Sequence, residues 1–320
     1  MSIIIHTPKK RVPFPLCWDN TMRSSFVECP QKAFWQYFQH FKGGGEISTD
    51  LHAGKAFAAG LETARREFYD NDKDEATAFA IGLDTLCDEY GDFIPPPHKM
   101  TKSLDRLIQA FAYYRQAFPL ETDPVQPFRK KDGSSMVEFS FALPIEPEIL
   151  RHPETDEPLI YTGRADMIAT YAGALSVYDD KTTSQLGPKW GNQWNRRAQF
   201  TGYTWAAQAY NIPVTQVIVR GIAILKTEIN HAQAITSRLP HHVGEWHYQL
   251  IRDLQRAIQC WKDNYFDVNL SDACGAYGGC MFQQPCMAKD PQPWLETNFI
   301  RKVWDPLART ETTILPEKQP

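Results

Sequence analysis

Two aspartates and a lysine carry the chemistry most readily read from this sequence. The segment runs Tyr161-Thr-Gly163-Arg-Ala-Asp166-Met-Ile, then Tyr171-Ala-Gly-Ala174, then Leu-Ser-Val-Tyr-Asp179-Asp180-Lys181-Thr182. A hairpin turning at Ala172-Gly173 pairs residues whose numbers sum to 345, which sets Asp166 opposite Asp179. Directly opposed residues of an antiparallel pair have Cβ atoms about 4.5–5.5 Å apart. Two carboxylates at that distance repel, and a divalent cation bound by oxygen ligands neutralises them. Side chains alternate along a strand, so Asp179 and Lys181 share a face while Asp180 points the other way. The ammonium then stands beside the metal-binding carboxylate, where it can orient an attacking water or stabilise charge developing on a phosphate. The backbone carbonyl of Asp180 is a further oxygen ligand. Ala172 stands where a two-residue turn wants positive φ, and a three-residue loop or bulge would relieve it by shifting the register one residue. Taken alone, Asp-x-Lys more often describes a surface ion pair than a metal site. The opposed Asp166 is what distinguishes this one.

The residues that follow extend the pattern. Gln199 and Tyr203 are four apart and share a helical face. Lys189, Arg196 and Arg197 precede them, with Trp190 and Trp194 interleaved. Basic residues beside aromatics suit a phosphate backbone and stacked bases, although an amphipathic helix with a core tryptophan uses the same residue types. Near the C-terminus, Cys274, Cys280 and Cys286 recur at six-residue steps with turn formers between them. Cys29 offers a fourth thiolate. It precedes Pro30, which fits the first position of a helix, and a helix N-terminus lowers a thiol pKa. Cys17 is its rival. Four thiolates suit a [4Fe–4S] cluster or structural zinc, though the spacing is not the paired Cys-x-x-Cys of common zinc sites. Cys17, Cys87 and Cys260 otherwise read as ordinary buried cysteines.

These groups need elements to hold them. Residues 1–20 are Pro-rich and irregular, and Met22–Phe41 is helix-like with a break at Pro30. Gly43-Gly44-Gly45 marks a loop. Helices are expected over Leu51–Tyr69, with Leu51, Phe57, Ala58, Leu61 and Phe68 on or near one face, and over Thr77–Tyr90 and Ser103–Phe118. Pro95-Pro96-Pro97 separates the last two. After a polar connector, Glu121–Met136, strands are expected at Val137–Leu143, Leu159–Thr170 and Ala174–Asp180. A helix over Asn192–Tyr210, strands at Val214–Leu225 and onward to Ile235, and a long helix over His241–Phe266 complete the series, with a loose tail after Thr310. The order implies an α/β fold: one central mixed sheet flanked by helices, with a helical N-terminal elaboration.

Composition narrows the classes. The chain has 320 residues, 42% hydrophobic and 22% charged, with 34 Lys+Arg against 38 Asp+Glu for a net charge of −4. Such a chain is too apolar and too weakly charged to be mainly disordered. Its most apolar stretch, Val217–Leu225, is nine residues long and is broken by Arg220, far short of the roughly 20 that a membrane span needs. The opening Met-Ser-Ile-Ile-Ile-His does not read as a secretory signal, so a cytoplasmic location away from the membrane is expected. Seven cysteines are an odd number with no dense framework, which argues against a disulfide scaffold. The charge of −4 does not advertise nucleic-acid binding, yet binding needs a local basic patch rather than a basic total.

Gly163-x-x-Asp166, Asp179-x-Lys181-Thr182 and Gln199-x-x-x-Tyr203 together resemble the PD-(D/E)XK nuclease superfamily. Within it the chain is similar to the RecB/AddB-type exonucleases and the related CRISPR-associated and phage or prophage nucleases. The resemblance covers about residues 20–290. It implies a single nuclease domain over 21–300, with a restriction-endonuclease-like core at about 136–236, a helical elaboration at about 63–120, a cysteine loop at about 270–290 and a tail at 301–320. It implies Mg²⁺ or Mn²⁺ on Asp166, Asp179 and the Asp180 carbonyl, Lys181 activating water, Gln199 and Tyr203 orienting the site, and Lys189, Arg196 and Arg197 on phosphates. That branch carries a motif like Gly-x-x-x-His-x-x-x-Glu. Here Gly54 and Glu62 match it, Ala58 stands at the histidine position, and His52 lies six residues upstream of that. Glu62 is therefore carried over as a site acid without a histidine ligand. Glu138 ranks lower and is expected to be an exposed strand residue. One cysteine before the motifs and three after them imply an iron–sulfur cluster on Cys29, Cys274, Cys280 and Cys286 rather than zinc. The implied activity is metal-dependent hydrolysis of single-stranded DNA or duplex ends, as an exonuclease in recombination, repair or processing, with a recombination partner protein. A non-catalytic DNA-binding accessory protein that keeps the fold, and a zinc-containing interaction protein, are the competing readings.

Overall fold

A computed structural model describes residues 11–44, 48–270, 272–275 and 279–313. The chain runs β1 (Cys17–Trp18), α1 (Asn20–Glu28), α2 (Pro30–Ala33), β2 (Phe41–Gly43), α3 (Thr49–Tyr69), α4 (Glu75–Tyr90) and α5 (Leu104–Ala117). It continues through β3 (Gln126–Pro127), β4 (Val137–Pro144), β5 (Ile160–Tyr171), β6 (Ala174–Thr183), α6 (Ala198–Ala209), β7 (Gln216–Ile224) and β8 (Ile229–Ser237). Last come α7 (Pro240–Lys262), α8 (Gln283–Met287), α9 (Gln292–Asn298), β9 (Phe299–Asp305) and β10 (Thr310–Thr313). Two compact units result. The first comprises Met1–Gly45, Phe141–Gly163 and Glu245–Pro320, and the second Glu46–Ser140 and Arg164–Gly244.

In the second unit, β6 pairs antiparallel with β5 and parallel with β7, and β7 pairs antiparallel with β8. This is the mixed sheet expected from the sequence, with helices packed on it. Its two faces differ. Met167, Ala169, Tyr178, Ile218 and Ile222 pack with Phe57, Leu61 and Ala64 of α3 and Leu107, Phe111 and Tyr114 of α5. The odd-numbered residues of β6 and β7 point to the other face. Local signals explain the helices. Asp74 caps α4 by accepting from the Thr77 amide at 3.0 Å, and Ser103 caps α5 by accepting from Arg106. Gly60 of α3 and Gly82 of α4 bring these helices into close approach: a Cβ on Gly82 would stand 2.6 Å from the Gly60 carbonyl oxygen. Leu51, expected on the packed face, is instead exposed.

The helix expected over Asn192–Tyr210 is interrupted. A 3₁₀ turn spans Gly191–Trp194 and α6 begins at Ala198. Arg238 Nη2 donates to the Trp194 carbonyl at 2.7 Å, occupying the acceptor that a continuous helix would offer to residue 198. Strand β6 runs past Asp180 to Thr183 because β7 pairs with it all the way.

In the first unit, β1 pairs in parallel with Ile160 and Tyr161 at the start of β5. A three-stranded sheet has the order β10-β9-β2. Strand β1 lies within the segment expected to be irregular, and β10 within the expected tail; residues 1–10 and 314–320 lie outside the described residues, as does Gly45 of the expected loop. Cys260 is buried as expected, whereas Cys17 and Cys87 are only half-buried. No helix among the described residues is long and apolar enough to cross a membrane.

Candidate active site

The hairpin forms in the expected register. Met167 pairs with Tyr178 and Tyr171 with Ala174, across a turn in which Ala172 (φ 48°) and Gly173 (φ 78°) both adopt positive φ. Ala172 therefore takes the backbone that its side chain disfavours. The antiparallel ladder stops at the 167–178 pair, just before Asp166 and Asp179. There β6 stays with β7 and parts from β5. Asp166 spans the fork: its Oδ2 accepts from the Asp180 amide at 2.8 Å.

Asp179 and Lys181 share a face and form an ion pair, with Asp179 buried and Lys181 half-buried. Burial pushes Asp179 up, the Asp166 charge adds to it, and despite Lys181 the carboxyl reaches about 7. Burial also raises Asp166, against the pull of Lys181. Burial opposes the charge on Lys181, but Asp179 and Asp166 outweigh it and hold the ammonium above its ordinary range. One ammonium faces two carboxylates, Asp179 buried and Asp166 half-buried. An oxygen-only donor set short of positive charge is what a hard divalent cation fills. Among the described residues no group of three or more His, Cys, Asp or Glu side chains stands as a ready metal cage. Magnesium does not require one, since it usually takes one or two carboxylates plus waters and substrate phosphates.

Asp180 points to the opposite face, as alternation requires, and meets a buried network. Arg65 of α3 donates to Asp180 Oδ2 at 2.5 Å, to the Tyr114 hydroxyl at 2.7 Å and to the Tyr178 hydroxyl at 3.2 Å. Tyr178 in turn donates to Asp180 Oδ1 at 2.7 Å. Next to it, Arg220 makes a two-pronged pair with Asp123 and lies 3.9 Å from the Phe118 ring centre. Sequence reading missed this network. Its signals were an arginine set among Ala56, Phe57, Gly60, Leu61 and Ala64, and an aspartate in an apolar strand.

Gln199 Nε2 donates to the Tyr203 hydroxyl at 2.8 Å, one turn apart on α6. Tyr203 is near enough to act on the charge of Lys181, which also lies 5.8 Å from the Phe200 ring centre. Lys189, Arg196 and Arg197 are exposed, Trp194 is buried and Trp190 half-buried. Glu62 is held by Arg66 at 3.0 Å. Burial raises its pKa, and neighbouring Glu138 raises it further. Glu138 is thus not the exposed strand residue expected. It has φ 63°, accepts from Ser140 at 2.7 Å and faces Arg164 at 3.4 Å. Gly54 faces Thr182, just beyond Lys181. Ala58 occupies the histidine position of the motif.

The four cysteines lie in the first unit. Cys29 precedes Pro30 at the start of α2, as expected. The Cys280 amide donates to the Cys274 carbonyl at 2.9 Å, while Ser271 and residues 276–278 of this loop lie outside the described residues. Burial pushes the Cys286 thiol up, and so do the charges of Cys29, Cys274 and Cys280; Cys280 responds to burial, Cys29 and Cys274 in the same direction. Among the described residues these cysteines do not form a group of three or more placed to hold a metal. Cys17 instead feels Asp305.

Among curated proteins no sequence matches this one. Among solved structures, one from Eubacterium rectale assigned as an exonuclease is similar at 10% identity and TM-score 0.47, covering 82% of this chain and 88% of that one. Another, designated SSO0001, is similar at 14% identity and TM-score 0.27, covering 74% and 86%. The family match is far broader in what it shows. The PD-(D/E)XK nuclease superfamily matches residues 22–287, which contain the Asp166, Asp179 and Lys181 fork. The chain belongs to that superfamily.

Proposed function

We propose that the protein is a metal-dependent deoxyribonuclease, acting as an exonuclease on single strands or duplex ends in bacterial or phage recombination, repair or DNA processing. The observation that carries this reading is the fork: buried Asp179 and half-buried Asp166 opposed where β5 and β6 part, with the single ammonium of Lys181 beside them. Asp166, Asp179 and the Asp180 carbonyl would hold Mg²⁺ or Mn²⁺. When bound, the cation supplies Lewis-acid charge to a phosphodiester oxygen. Lys181 positions the attacking water and stabilises charge on the phosphate. Tyr203, braced by Gln199, fixes the ammonium. Arg196, Arg197 and Lys189 hold phosphates, and Glu62 contributes a further acid from α3. The work is cytoplasmic, beside a recombination partner protein.

The cysteines support a second component. The Cys280 and Cys286 thiols both feel Cys29 and Cys274, which suits a [4Fe–4S] cluster on Cys29, Cys274, Cys280 and Cys286. Its role is structural.

The test is cleavage of end-labelled single- and double-stranded DNA by anaerobically purified protein, with Mg²⁺, Mn²⁺ or EDTA. Metal-dependent products that vanish in Asp179→Ala are expected. A folded wild type that binds DNA yet cleaves neither form with either metal would sink the catalytic reading and favour the accessory one, to which Ala58 at the histidine position points.

A further inference from the structure

From Lys181 to Gly244 the sequence holds seven basic residues and one acidic residue, Glu228, in a protein of net charge −4. Some of these cations are engaged internally: Lys181 pairs with Asp179, and Arg220 with Asp123. Lys189, Arg196 and Arg197 are exposed. Arg238 is only 1% exposed and has no carboxylate among its partners. It donates to Thr201 Oγ1 at 3.0 Å, Thr236 Oγ1 at 2.9 Å, and the carbonyls of Ser237 at 3.1 Å and Trp194 at 2.7 Å. Burial and neighbouring Arg196 both press it below the usual guanidinium range. This part of the second unit carries positive charge that its own carboxylates do not balance.

Beside that charge lies a cavity of about 340 Å³ between the segment after β6 and strand β8, lined by Trp190, Asn192, Asn195, Gln233, Ile235 and Thr236. Trp190 is a fixed wall. Its ring lies against β7 at Gly221, where a Cβ would come within 2.4 Å of the ring. Buried Trp194 backs it at 5.4 Å and 75°. The Gln233 side chain turns to the opposite face of the sheet, where the Arg220 Nε donates to its amide oxygen at 2.8 Å. An aromatic wall, the two side-chain amides of Asn192 and Asn195 and flanking cations are the parts of a nucleotide site: a face to stack on, donors and acceptors for a base edge, and charge for phosphate.

We propose that this cavity takes an unstacked nucleobase of a single DNA strand against Trp190, while Arg196, Arg197 and Lys189 hold the neighbouring phosphates. The proposal rests on the nuclease reading and narrows its substrate. Bases inside a duplex offer grooves only their edges, whereas unpaired bases offer a face. One continuous segment joins Lys181, the cavity wall and Gln199, so the gripped base sits next in sequence to the hydrolytic residues on both sides.

The experiment uses Asp179→Asn protein, which keeps DNA intact, and measures anisotropy with labelled single-stranded oligonucleotide and blunt duplex at fixed salt. Trp190→Leu is expected to weaken single-strand binding about tenfold, the loss of one stacked base, and blunt-duplex binding less than twofold. Oligonucleotides carrying 2-aminopurine should be quenched on binding, and the quenching should be lost in Trp190→Leu. Gly221→Ala, whose Cβ would push into the Trp190 ring and the Leu186 side chain of the cavity wall, should act in the same direction, so the test survives if either variant fails to fold. Equal weakening of single strand and duplex, or bound oligonucleotide with no change in 2-aminopurine at any position, would overturn the proposal. Binding is read independently of cleavage, so an inactive wild type would count against the nuclease reading alone.

Discussion

At the residue scale the decisive group is Asp179. Its carboxyl reaches about 7, so a divalent cation held there as proposed would compete with protons near neutrality. The sign follows from linkage. A carboxyl raised in the folded state favours folding while protonated, and that contribution is lost as pH rises from the ordinary carboxylate range through about 7. A cation needs the ionised form. Mg²⁺ should therefore raise the melting temperature more at pH 8 than at pH 6, with apparent affinity falling up to tenfold per pH unit below about 7. Asp179→Asn should abolish the Mg²⁺-dependent shift, and a shift of equal size at both pH values would contradict the assignment. Lys181→Met should lower kcat by about 10²–10³ while leaving DNA affinity near its starting value, the pattern of a group acting on developing charge. This much was legible from spacing, because strand alternation and hairpin register are exact periodicities. Glu138 was not. It reaches Glu62 from a positive-φ position in a strand, a local departure that no period encodes.

At the element scale, β6 is held from behind. Arg65 of α3 and Tyr114 of α5 grip Asp180 and Tyr178, and this fixes that β6 turns Asp179 and Lys181 to the opposite face. Arg65→Met leaves a buried carboxylate without its cation and is expected to cost about 3–5 kcal/mol in urea denaturation. The double variant Arg65→Met/Asp180→Leu should recover most of that stability, because a buried pair replaced by apolar residues is often near neutral. If the double variant is no more stable than the single, the pair is not the source of the loss. The helices α3, α4 and α5 were legible from caps and apolar spacing. The break before α6 was not, since its cause is Arg238, some 40 positions further on.

At the scale of the whole molecule, the nuclease residues belong to the second unit and the cysteines to the first. Cys286→Ser should lose iron and visible absorption, and protease cutting should then concentrate in Phe141–Gly163 and Glu245–Pro320 while the second unit stays protected. A colourless wild type with one zinc per chain would replace the cluster by the zinc reading. Sequence pattern could join Cys29 to Cys274, Cys280 and Cys286 only by resemblance. It could not show β2 pairing with β9, because the three residues of β2 carry no period to read.

The fork has a consequence for anyone who knocks out this site. Asp166 fastens β6 to β5 through the Asp180 amide besides being a proposed metal ligand, whereas among the described residues the side chain of Asp179 is bonded only to Lys181. An inactive Asp166 variant therefore conflates a lost ligand with a sprung hinge, and of the two aspartates it is Asp179 that gives a mutant whose silence speaks about chemistry.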